Sequence, residues 1–177
     1  LGQVDKRQVD KAIEYGKLCV EYADKIEKDQ GQGKGKGDDF QKMSKRTTYA
    51  DALLQRGLPA DITQAQALFI DAEKRQQAWQ PSYPYLYSLR GYRYCQLLLK
   101  QALTAQSVNE VIERVETTLG WVKDFGDLLS IALDQLTLGK AYWRNKDLTQ
   151  AQHYLDQAVS GLRKSGRLDY VPRGLLT

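Results

Sequence analysis

The chain has 177 residues, 42% of them apolar and 27% charged, enough for one well-buried domain and too polar for a membrane protein. No run of about 18 apolar residues occurs, and the first residues lack the basic-then-apolar order of a signal peptide, so a cytoplasmic setting is expected. The 26 basic and 22 acidic residues are interspersed, so the net charge of +4 is no nucleic-acid footprint by itself, although Arg163, Lys164, Arg167 and Arg173 sharpen it near the end.

Helical periodicity runs through the chain without any alternating β-branched run, which predicts an all-α fold. About seven helices are expected, near 6–28, 38–57, 61–79, 84–102, 107–125, 127–145 and 148–165, and "YVPRGLLT" opens one more. The breaks are a glycine-rich stretch at 31–37, Gly57 with Pro59, Pro81 with Pro84, Gly126 and Gly166. Asp38, Asp61, Ser107 and Asp127 sit where a side-chain oxygen can accept from the free N–H groups of a first turn. Cys19 and Cys95 belong to no CxxC pair or cysteine/histidine cluster and are expected as buried free thiols.

Four helices repeat one packing stripe. Val9, Ala12, Gly16 and Cys19 match Ile62, Ala65, Phe69 and Ala72; these match Val108, Val111, Val115 and Thr118, and then Leu148, Ala151, Leu155 and Ala158. Each set steps by three, four and three residues along one face of a helix. The helix before each of the last three carries a second pattern: Ala50, Leu53 and Gly57; Cys95, Leu98 and Ala102; Gly139, Tyr142 and Lys146. Two kinds of helix therefore alternate as one unit.

This alternation resembles the tetratricopeptide repeat, and the copy in "LGKAYWRNKDLTQAQHYLDQA" fits without a gap. Corresponding sites in successive units lie 53, 46 and 40 residues apart (Val9 to Ile62, to Val108, to Leu148), against about 34 in the standard repeat. Such long units are similar to the superhelical sensor regions of bacterial STAND-class signalling NTPases and to peptide-pheromone receptors. "RTTYADALLQRG", "YPYLYSLRGYRYCQLLL" and "VPRGLLT" resemble stretches of their C-terminal regions. The resemblance implies a right-handed superhelix of antiparallel helix pairs, one domain over 1–177, with units near 1–29, 38–79, 84–125 and 127–165 and a further unit starting at 168–177. "LGQV" reads as the tail of a first helix with its turn, and "VPRGLLT" as a helix start, which predicts a fragment of a longer array.

No catalytic set is legible. "GQGKGKG" at 31–37 lacks both the phosphate-loop spacing and a flanking strand, and reads as a flexible helix–helix loop. His153 is the only histidine, expected on the outer face of its helix, so neither a histidine-rich metal site nor a cofactor is expected. The chain is read as no enzyme.

In tetratricopeptide proteins first helices line a concave groove that takes peptides or partner segments. By register, that groove would be lined by Thr47, Asp51 and Gln55; by Tyr92, Arg93, Gln96 and Lys100; and by Leu136, Lys140, Trp143 and Arg144. The mixture of apolar and cationic side chains suits a segment with apolar anchors and acidic residues, or a C-terminal carboxylate. The expected function is a non-catalytic protein- or peptide-binding module, the sensor or scaffold part of a larger bacterial signalling protein. The alternatives are a self-association scaffold or spacer and a helical-repeat RNA binder with stacking tyrosines. Five of the eleven tyrosines crowd into "QPSYPYLYSLRGYRYC": Tyr83 and Tyr85 are expected at a repeat joint, Tyr87 and Tyr94 in the core, and only Tyr92 against a ligand.

Overall fold

The computed structural model describes residues 6–29, 37–167 and 170, the side chains at 26–29, 37 and 38 excepted. They form seven helices and, among the described residues, no strand: α1 (Lys6–Asp29), α2 (Gly37–Arg56), α3 (Pro59–Trp79), α4 (Ser88–Gln101), α5 (Ala105–Phe125), α6 (Leu128–Arg144) and α7 (Leu148–Lys164). The glycine-rich stretch at 31–36, the "LGQV" turn and the helix expected beyond Tyr170 lie outside the described residues.

Local chemistry sets the boundaries. The Asp127 carboxylate accepts from the Leu129 N–H as expected, and Asp147 does the same for Gln150. Ser107 and Asp61 also serve first turns, but from the third helical position. Thr104 and Ser107 form a reciprocal capping pair at 3.1 Å in each direction, and the Asp61 carboxylate accepts from Leu58 N–H at 3.3 Å. Helices α3 and α5 therefore start two residues earlier than expected. Helix α4 starts four residues late, because the preceding segment is tied back to α3. The Gln76 amide donates to the Tyr83 carbonyl at 3.1 Å, and the Leu86 N–H donates to the Glu73 carboxylate at 2.8 Å.

The chain divides into two compact units, residues 1–86 and 87–177. In the first unit, α2 packs against both α1 and α3 around the buried Met43, Ala50, Leu53, Ala65, Phe69 and Ala72. Each large side chain so buried contributes about 1.5–3 kcal/mol. Gly16 permits the close approach of α1 to α2: a Cβ there would lie 2.9 Å from the Tyr49 ring and 3.1 Å from its Cα. Arg46, buried in α2, joins all three helices by ion pairs to Asp24 of α1 (2.6 Å) and Asp71 of α3. Burial opposes its charge, but the two carboxylates outweigh burial and hold its pKa above the ordinary value.

In the second unit, α6 is the central helix and packs against α4, α5 and α7. Small residues bring α6 and α7 together. A Cβ at Gly139 would meet Leu155 Cγ at 2.6 Å, and one at Gly161 would meet Ala132 Cβ at 2.8 Å. Helices α4 and α5 make fewer close backbone approaches; Val111 and Thr118 stand where α3 and α7 carry alanine, at Ala65 and Ala72 and at Ala151 and Ala158. Val108, Val111 and Val115 join Cys95, Leu99, Leu119 and Leu138 in one buried cluster; Tyr92, Leu133, Leu136, Leu162 and Tyr170 form another.

Candidate functional site

The direct packing of α4 on α6 puts two first-type helices side by side without α5 between them. Their contact is partly polar. Lys140 Nζ donates to Gln96 Oε1 at 3.4 Å. The Arg144 guanidinium donates to the carbonyls of Leu99 and Ala102, closing the C-terminal end of α4, where cationic donors meet free carbonyls. Around these contacts Arg93, Gln96 and Lys140 are half-buried, Lys100 and Arg144 are exposed, and Trp143 is 51% exposed. The structure thus groups six of the expected side chains of the second unit on neighbouring helices. An open depression of about 350 Å3 lies next to Arg144, between the α4–α5 turn, Val108 and Lys146.

Burial takes other expected residues out of contact with any ligand. Tyr92 is only 1% exposed, and its ring meets the Tyr170 ring edge-on at 5.9 Å. Leu136 is fully buried in the same cluster. Both positions are core rather than groove: Tyr92 of α4 packs on Tyr170, and Leu136 lies in the middle of α6, which has α4, α5 and α7 around it. In the first unit Thr47 is buried and its hydroxyl donates to the Ser44 carbonyl at 3.0 Å. Asp51 is half-buried, and the exposed Gln55 donates to its carboxylate at 3.3 Å.

The other tyrosines are packing residues. Tyr87 is half-buried against Trp121 and Phe125, with Arg90 over its ring at 5.7 Å. Burial lowers the Arg90 pKa from its ordinary value. Tyr94 is buried beneath Arg114, at 5.0 Å. Tyr83 is half-buried, and Tyr85 is exposed at the α3–α4 connection. Cys95 is buried as expected, but Cys19 is exposed, because nothing described covers that face of α1.

The interior also holds polar groups that periodicity alone did not mark. Asp134 of α6 is buried and accepts from the Thr118 hydroxyl at 2.9 Å. Burial pushes its carboxyl up to about 7, against smaller opposing effects of Thr118 and Arg114. Asp134 lies where α6 is buried on every side, from Ala132 to Gly139, and Arg46 where α2 meets both its neighbours, so each is set by packing. His153 is exposed, beside Tyr154 and Gln157. Among the described residues no cluster of histidine, cysteine or acidic side chains could hold a metal ion, and no helix is long and apolar enough to cross a membrane.

These features define an all-α protein of packed helix pairs with a cationic, tryptophan-bearing face on α4 and α6. No protein-family model, curated protein or solved structure matches the chain.

Proposed function

We propose that the chain is a non-catalytic helical-repeat module that binds a protein or peptide segment on the α4–α6 face. The carrying observation is that α4 lies against α6 with Gln96 and Lys140 in contact and Lys100, Trp143 and Arg144 exposed around them. Trp143 offers an apolar anchor point and the cations offer partners for carboxylates, so the favoured ligand is an extended segment carrying an aromatic or aliphatic anchor and acidic residues. The resemblance to long-helix tetratricopeptide sensor regions supports a sensor or scaffold role within a larger bacterial signalling protein, in the cytoplasm. An RNA-binding reading would need open ring faces for base stacking; Tyr87, Tyr92 and Tyr94 are packed against other side chains, whereas Tyr15, Tyr22 and Tyr85 are exposed.

The test is a titration of fluorescein-labelled acidic peptides bearing one internal leucine or tryptophan, read by anisotropy at low salt. Binding is expected to fall about tenfold or more in Lys100→Glu with Lys140→Glu, and to fall again in Trp143→Ala, with helical content unchanged. Equal binding by the wild type and these variants would show that the face is not the site.

A further inference from the structure

The repeat register exposes a second surface. The stripe of α1 matches those of α3, α5 and α7, each of which packs against the helix immediately before it. Ala65 and Ala72 are fully buried on α3, Val111 and Thr118 are buried on α5, and Ala151 and Ala158 are buried on α7. On α1, Val9 is buried and Gly16 lies against Tyr49 of α2, but the counterparts of those alanines, Ala12 and Cys19, are exposed.

The flanking positions agree. Tyr15 corresponds to Arg114, which lies over the Tyr94 ring of α4, and to Tyr154, which stacks on Tyr142 of α6 with the ring planes within 2°. Tyr22 corresponds to Trp121, edge-on to Tyr87, and to Gly161, against Ala132 of α6. On α1, Tyr15 and Tyr22 are each 64% exposed and Leu18 is 41% exposed. A depression of about 320 Å3 runs along Ala12, Tyr15, Gly16 and Cys19 towards Lys45 and Thr48 of α2, and a smaller one of about 180 Å3 is bounded by Leu18, Glu21, Tyr22 and Lys25.

We infer that this face of α1 docks a partner helix of the kind that covers the other three stripes. That helix is amphipathic, with a small residue followed three positions later by leucine or an aromatic, as in Ala50 with Leu53 and Gly139 with Tyr142. The small residue sits over Ala12 and Cys19, and the larger one fills the space beside Tyr15. The rim carries both signs, with Glu21 against Lys25 and Lys45, which matches a helix of interspersed charge and disfavours a polyanion. This face is built from the first unit and the α4–α6 surface from the second, with no residue in common, so either assignment can fail alone.

Cys19 supplies the readout, since it is the exposed thiol at the centre of the face and Cys95 is buried. The probe is a synthetic peptide of α2, Gly37–Arg56, which has no cysteine and carries the Ala50 and Leu53 pattern. Saturating peptide is expected to slow alkylation of Cys19 several-fold, and Tyr22→Glu, a change at an exposed position, to abolish the protection while leaving helicity intact. Unchanged alkylation at saturating peptide overturns the proposal. So does a concentration-dependent dimer in sedimentation that disappears in Tyr22→Glu, because the occupant would then be a second copy.

Discussion

Asp134 shows how a single residue can be legible in kind and illegible in consequence. Its place in "LDQLTLGKAY" is plain in the sequence, but its protonation depends on the three helices around it. The carboxyl is raised from 3.8 to about 7 by burial, so the folded unit holds a proton that the unfolded chain releases. The unfolded state therefore binds fewer protons between these values. The contribution of Asp134 to stability is intact below about 3.8 and declines as pH rises to about 7, above which the loss is complete. Asp134→Asn, which cannot ionise and can still accept from Thr118, is expected to raise stability at pH 8 by up to about 4 kcal/mol and to have little effect at pH 4. Urea unfolding at the two pH values checks this; an equal effect at both would remove the burial argument. Tyr92 teaches the converse. Helical phase alone placed it with Arg93 and Gln96, and only the packing of Tyr170 against it shows which side is core.

At the scale of elements, helix identity was readable and helix ends were less so. All seven helices were expected, because apolar spacing extends over many residues and survives local errors. The start of α4 was misplaced since Pro84 suits a first helical turn, and the hydrogen bonds from Gln76 and Leu86 that hold the segment extended come from tertiary contact. How helices join is likewise a tertiary property. Arg46 bridges α1, α2 and α3, and its side chain is 5% exposed while its acidic partners are 39% and 45% exposed. Arg46→Ala is expected to cost about 2–3 kcal/mol, less than a fully buried pair because water can reach the stranded carboxylates. Denaturant unfolding measures it; a loss below about 0.5 kcal/mol would place the pair among ordinary surface contacts. Gly139 and Gly161 allow the double close approach of α6 to α7, and of these only Gly139 stood out in the repeat pattern.

For the molecule as a whole, the chain divides into two compact units, residues 1–86 and 87–177. Loss of Arg46 should therefore lower amide protection in α1–α3 and leave α4–α7 unchanged, which site-resolved hydrogen exchange will show. A uniform fall would mean that the two units unfold together. The sequence by itself determined that the chain is all-α, that two kinds of helix alternate, and which stripe of each second helix meets a neighbour, because helical periodicity and small-residue spacing are local patterns carried by the chain. Only the tertiary structure decided which of the candidate groove side chains are reachable, that α4 lies on α6, and that Ala12 and Cys19 of the α1 stripe stay exposed while Val9 and Gly16 are taken up by packing. Exposure is a property of what packs against a face, and one helix's periodicity marks a face as apolar without saying whether anything sits on it.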